Sequence, residues 1–262
     1  MRLGGASASG VLLLALIVAC AAFASQLAPG DPAAPIGRAN EGSSAHAWLG
    51  TDRLGRDIFS RTVHGARRAL AVAGTATVFG AAAGLVAGAA SGYAGGWIDH
   101  VIQRGNDAVL AFPPLVFLLL VSRYLGATPI SLAVILGVLI APGVARVVRA
   151  AALTERSQSY IEAARALGAS EARVLFRHII PALLPVALVL GGNVLGGAII
   201  ADASLAFLGL GVSADGLSWG ADVASARAGF PVNTAAVLAP GVAIMATVLA
   251  VNLASTGRHP RR

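Results

Sequence analysis

The chain reads as an all-α membrane protein with six transmembrane helices, and three observations predict this. Of its 262 residues, 56% are hydrophobic and 12% are charged, where a soluble domain carries roughly a quarter charged residues. Mean hydropathy is +0.77, and several apolar runs approach or exceed the roughly 20 residues a helix needs to cross a bilayer. The runs are continuously apolar and rich in Ala, Leu, Val and Gly. Strands of a membrane barrel would instead alternate apolar and polar in segments of about ten residues.

The first span covers about Gly10 to Leu27 and contains the single cysteine, Cys20. A lone cysteine excludes an internal disulfide and a multi-thiolate metal site. Ile17-Val18-Ala19-Cys20 after an apolar run also resembles a lipoprotein cleavage site. The later spans already anchor the chain, which favours an ordinary helical cysteine. The second span covers about Leu70 to Tyr93, where Gly80, Gly84, Gly88, Gly92 and Gly96 recur every fourth residue. On a helix this makes a face nearly free of side chains, against which another backbone can pack closely.

The third span is placed at about Arg104 to Leu125, with a polar start, and the fourth at about Ile130 to Ala151. The fifth, about Pro181 to Leu208, repeats the small-residue spacing at Gly192 and Gly196; the sixth covers about Val232 to Asn252. The chain thus divides into a first helix with a long loop (1–69), a membrane core (70–254) carrying a polar loop near 153–180, and a short tail (255–262). No loop is long enough to bury a core of its own.

All 19 basic residues are Arg, and the net charge is +7. They lie beside the apolar runs and form no dense stripe interleaved with aromatics, so nucleic acid is not an expected partner, whereas membrane lipid is. With both termini and the 153–180 loop on one side, eleven Arg fall on that side and eight on the other. The positive-inside rule then makes it the cytoplasm.

The loop between spans four and five is the main polar island. Leu153 to Leu167 is rich in helix formers, Gly168 stands where a helix would end in a left-handed cap, and Ser170 can cap a following helix with Glu171 in its first turn. Tyr160, Ala164 and Leu167 share a face. Such a knob suits either docking on a partner protein or lying on headgroups.

Asp202 sits in the apolar stretch Ile199 to Leu208. A carboxylate there costs about 2.5–3.5 kcal/mol on insertion scales, so it should face the bundle or an aqueous path. It is a candidate for the translocation path and a cationic solute group; alternatively it lies at the outer interface or bonds Asn193 or backbone. Asp107 is expected to pair locally with Arg104. Asp52, Arg53, Arg56, Asp57 and Arg61 in the first loop could steer a charged partner or rest on phosphates. The five His residues show no ligand spacing, and no metal site is expected. A phosphate-binding loop of the G-x-x-x-x-G-K-[ST] type is missing, and without Lys it could not exist.

Glu162-Ala163-Ala164 followed by Gly168 resembles the EAA loop of binding-protein-dependent importer permeases. The blocks Leu49 to Asp57, Gly65-Ala66-Arg67, Gly92 to Gly96 with Asp99, Ala111-Phe112-Pro113, Ser204 to Gly211 and Ser218-Trp219-Gly220 are similar, in order, to the dipeptide/oligopeptide/nickel family. The resemblance is to the second of two permease subunits.

It implies a type I ATP-binding-cassette importer permease fold in the bacterial inner membrane, with both termini cytoplasmic. It implies a heterodimer with a second permease, two ATPase subunits or domains carrying ATP and Mg, and an extracytoplasmic binding protein; the chain itself would not be an enzyme. Tyr160, Glu162, Ala163, Ala164, Leu167, Gly168, Ala169 and Ser170 would meet the ATPase. Asp202 and Asn193 would line the path, and Gly80, Gly84, Gly88, Gly92, Gly192 and Gly196 would pack helices. The cargo implied first is a di- or oligopeptide, second nickel or a nickel chelate. A secondary transporter, the alternative of another class, would show inverted repeats and paired intramembrane acids.

Overall fold

The computed structural model describes residues 5–126, 128–210, 216–227 and 233–256. Helices α1 (Gly5–Ala22) and the one-turn α2 (Ala24–Leu27) lead into a long loop. That loop is folded back by the bridges Pro35–Arg56 and Thr51–Asp57. Asp57 then caps α3 (Ile58–Ala94) by accepting from the amides of Phe59 and Ser60. At 37 residues, α3 is about 55 Å long. It starts well before the expected Leu70, because the cap lies at Asp57 and its first turns pack on other protein segments.

The third expected span is not one rod. Helix α4 (Gly96–Leu110) and α5 (Pro114–Leu125) meet at an 85° bend. Pro113-Pro114 explains the break: each proline disfavours helical geometry in the residue before it, and neither can donate a ladder hydrogen bond. Among the described residues, four helices are long and apolar enough to cross a membrane, or five with the bent pair taken as one span, while α1 is a shorter apolar helix. Gly96 likewise leaves the expected ladder. With Gly95 it forms a turn of positive φ (+65° and +55°), and a Cβ on Gly96 would meet nothing.

Helix α6 (Pro129–Glu155) opens with a reciprocal cap between Thr128 and Ser131. It runs parallel to α3 along the glycine face. A Cβ at Gly80, Gly84, Gly88 or Gly92 would lie 2.5–2.7 Å from a backbone oxygen of α6, at Gly137, Ala141, Ala145 and Arg149 in turn. The polar loop contributes α7 (Ser159–Ala166) and α8 (Glu171–Val174). A π turn, Leu175–Ile179, joins α8 to α9 (Ile180–Phe207). Pro181 has no N–H for the ladder, and the Ile180 amide reaches Leu175 O, five residues back. This is the slipped register of a π turn.

Helix α9 returns against α3. The short α10 (Trp219–Ala226) tucks under it: Trp219 is buried and donates to Thr62 O at 2.8 Å. Helix α11 (Thr234–Thr256) comes back beside α9, with Ser255 against Gly192 and Val248 and Asn252 near Gly196. Gly10 of α1 packs on Leu253 and Ala254. The described start of α1 and the end of α11 therefore share the end of the bundle that carries α7.

Candidate functional site

The polar loop is built by local rules. Helix α6 stops at Glu155, and the 156–158 turn is closed by Ser157 and Gln158 amides to Thr154 and Glu155 carbonyls. The single helix expected over Leu153–Leu167 is therefore two, with α7 set apart as its own unit. At its end, Gly168 has φ +84°. Its amide bonds Arg165 O, and the Ala169 amide bonds Ala164 O. These are the paired bonds of a Schellman cap. Ser170 then accepts from the Arg173 amide to start α8.

Burial sorts the faces of α7. Ile161 is fully buried, in a cluster with Val148, Val174 and Ile179. Leu167 is 89% exposed, Tyr160, Glu162 and Ala163 are exposed, and Ala164 and Ala169 are half-buried. The Tyr160 hydroxyl donates to Glu155; burial first, then that carboxylate, pushes its pKa to about 12. The loop is thus rooted through Ile161 and presents Leu167 at its tip.

Tyr93, at the end of α3, ties this loop to the bundle. Its hydroxyl donates to Glu171 and accepts from Arg165 Nη2 at 3.2 Å. The Arg165 guanidinium lies 5.4 Å from the Tyr93 ring centre and 3.4 Å from Glu171. The bond to Tyr93 is the main cause that raises the Arg165 pKa. The sequence alone assigns neither residue a role: Tyr93 stands within the block Gly92 to Gly96, and Arg165 is one of several Arg residues of the polar loop.

Within the bundle, Asp202 is buried on α9, with Arg68 of α3 3.6 Å away. The chain thus supplies a cation of its own to Asp202, one that was not among the partners expected from the sequence. Asp202 Oδ1 and the three Arg68 side-chain nitrogens have no hydrogen-bond partner among the described residues. Asn193 does not join them. It is exposed and, nine residues from Asp202, lies on the opposite side of α9.

Asp107 also departs from expectation: it pairs with Arg146 of α6 at 2.8 Å, not with Arg104. In the first loop, Asp52 holds Arg56 at 2.6 Å, Asp57 is the α3 cap, and Arg61 is buried on Asp222 of α10. These charges hold the loop together, leaving Arg53 as its exposed cation among the five.

Residues 80–261 match the family described as binding-protein-dependent transport system inner membrane component. The chain is similar to the glutathione transport system permease protein GsiD of Pectobacterium atrosepticum, 37% identical over 254 residues that cover 96% of this chain and 84% of the relative. Against GsiD of Shigella sonnei the identity is 37% over 251 residues, covering 95% and 83%. Against GsiD of Shigella dysenteriae it is 38% over 251 residues, again 95% and 83%.

Proposed function

Because the chain belongs to the family of binding-protein-dependent inner-membrane transport components and is a multi-pass permease subunit of an ATP-driven importer, we propose that its cargo is a short peptide-like solute, with glutathione and di- or oligopeptides as the first instances. The similar permeases belong to glutathione transport systems, which supports this cargo class. Nickel or a nickel chelate is the competing cargo.

The observation that carries the mechanism is the rooted α7–Gly168 turn with Leu167 at its tip. The segment Tyr160 to Ser170 docks in a cleft of a partner ATPase, which holds ATP and Mg and performs the hydrolysis. Motion of that partner is transmitted through Ile161 and the Tyr93–Glu171–Arg165 cluster to α3, α6 and α9. A second permease completes a heterodimer and faces the exposed side of α9, where Asn193 lines the path. The side bearing α7 and the described helix ends is the cytoplasm, as the Arg distribution favours.

Uptake tests this in a deletion strain carrying the complete importer. Labelled glutathione or dipeptide should accumulate and nickel should not; the reverse result rejects the cargo. Gly168→Trp should abolish uptake and ATPase association while insertion survives. Gly168→Asn should retain most uptake, because Asn tolerates a positive φ. Normal uptake by Gly168→Trp rejects the docking role.

A further inference from the structure

Helix α4 is amphipathic, with Trp97, Ile98, Val101 and Val109 on one side and Asp99, Gln103, Arg104 and Asp107 on the other, and none of its residues is buried. Two residues of the polar side reach back to the bundle, while His100, Arg104 and Asp107 stay exposed: Asp99 is bonded to Arg149 of α6 at 2.5 Å and accepts from Ser91 of α3, and Gln103 donates to Ser91 at 2.9 Å. The apolar side carries Trp97, 74% exposed, and Val101, 60% exposed, with Ala108 also exposed. Large apolar side chains exposed in a row and rimmed by polar residues mark a surface that meets a membrane or a partner.

The same helix does not run along the bundle. Between its two ion pairs, Asp99–Arg149 and Asp107–Arg146, α4 advances eight residues, about 12 Å, while α6 retreats three, about 4.5 Å. It also stands at 85° to α5. Its level is set by Arg146 and Arg149, the first charges after the apolar stretch Pro129–Ala145 of α6.

We propose that α4 lies in the plane of the bilayer, at the headgroup boundary of the leaflet on the α7 side, and that its partner is the anionic phospholipid surface itself. Trp97, Val101 and Ala108 sit against acyl chains, as aromatic and apolar residues do at this depth. Arg104 lays its stem along them and carries its guanidinium to the phosphates. Exposed Arg104 supplies the charge that complements negative headgroups. Tied to α6 by two ion pairs, α4 gives the base of α7 a fixed reference on the membrane.

The test uses spin labels at Trp97→Cys, Val101→Cys and Ala108→Cys in a Cys20→Ser background, with cysteines of the partner subunits replaced. The whole importer is reconstituted in phosphatidylethanolamine–phosphatidylglycerol vesicles. Collision rates with oxygen and with an aqueous nickel chelate report depth. All three labels should be oxygen-accessible at one common shallow depth, about 5–10 Å below the phosphates. A depth difference of about 16 Å between positions 97 and 108 would mean an upright helix. Labels reached mainly by the nickel chelate would place α4 in water, and labels shielded from both reagents would place it under a protein. Each of those three results overturns the proposal.

Discussion

Arg61 of α3 and Asp222 of α10, 161 residues apart, meet in a buried ion pair in which Nε and Nη2 both donate to one carboxylate oxygen, at 2.9 and 2.5 Å. Arg61 also donates to Pro32 O and Gly216 O. One guanidinium therefore joins the first loop, α3 and the segment around α10. Asp222→Ala would leave a buried cation, at a cost of about 3–5 kcal/mol. The expected result is a lower unfolding temperature of the purified importer and faster proteolysis near residues 216–227. Unchanged proteolysis would show that the packing of α10 holds without the ion pair.

Asp52 makes the first loop pH-sensitive in one direction. Burial pushes its carboxyl up, but the Arg56 side chain and the Arg56 and Leu54 amides outweigh this and hold its pKa below the ordinary value of 3.8. A depressed carboxylate contributes stability above its unfolded pKa and loses it as pH falls through the folded value. Hydrogen exchange of residues 35–57 should stay slow from pH 7 to about 4 and rise below that. Asp52→Asn should raise exchange at neutral pH and flatten the acid limb.

The glycine face of α3 allows a contrast within one helix. A Cβ at Gly88 would lie 2.5 Å from Ala145 O, while one at Gly74 would meet nothing. Gly88→Ala should cost about 1–3 kcal/mol through overpacking, and Gly74→Ala should be neutral or stabilise by up to about 1 kcal/mol. Thermal unfolding of the two variants separates them. Gly84→Leu and Gly88→Leu should also lose uptake, which normal accumulation in both would contradict.

Arg68 and Asp202 should behave as one unit. Removing either charge alone leaves the other buried and should destabilise by about 3–5 kcal/mol, whereas Arg68→Met with Asp202→Leu should be near neutral. A thermal double-mutant cycle measures the coupling. Additive losses would mean that the two side chains act separately.

The polar loop was legible because its signals are local. Gly168 as a left-handed cap, Ser170 as an N-cap and Glu171 in the following turn act on neighbours within a few residues, and each is found as expected. The division of the loop helix at 156–158 was not legible, because Leu153 to Leu167 has good helix formers throughout. The break at Pro113-Pro114 has a local cause in the sequence, yet the expected third span, about Arg104 to Leu125, runs through it.

By itself, the sequence determined the helical membrane class, most span positions, the glycine face and the caps. All follow from composition and from spacings shorter than two helical turns. Only the tertiary structure decided that Arg68 meets Asp202, Arg61 meets Asp222, Asp107 meets Arg146, and Tyr93 holds Arg165 and Glu171. Any Arg in this chain could pair with any acid by charge alone. Which pairs form depends on how α3, α6, α9 and α10 lie beside one another, and that arrangement is set by packing between segments far apart in the chain.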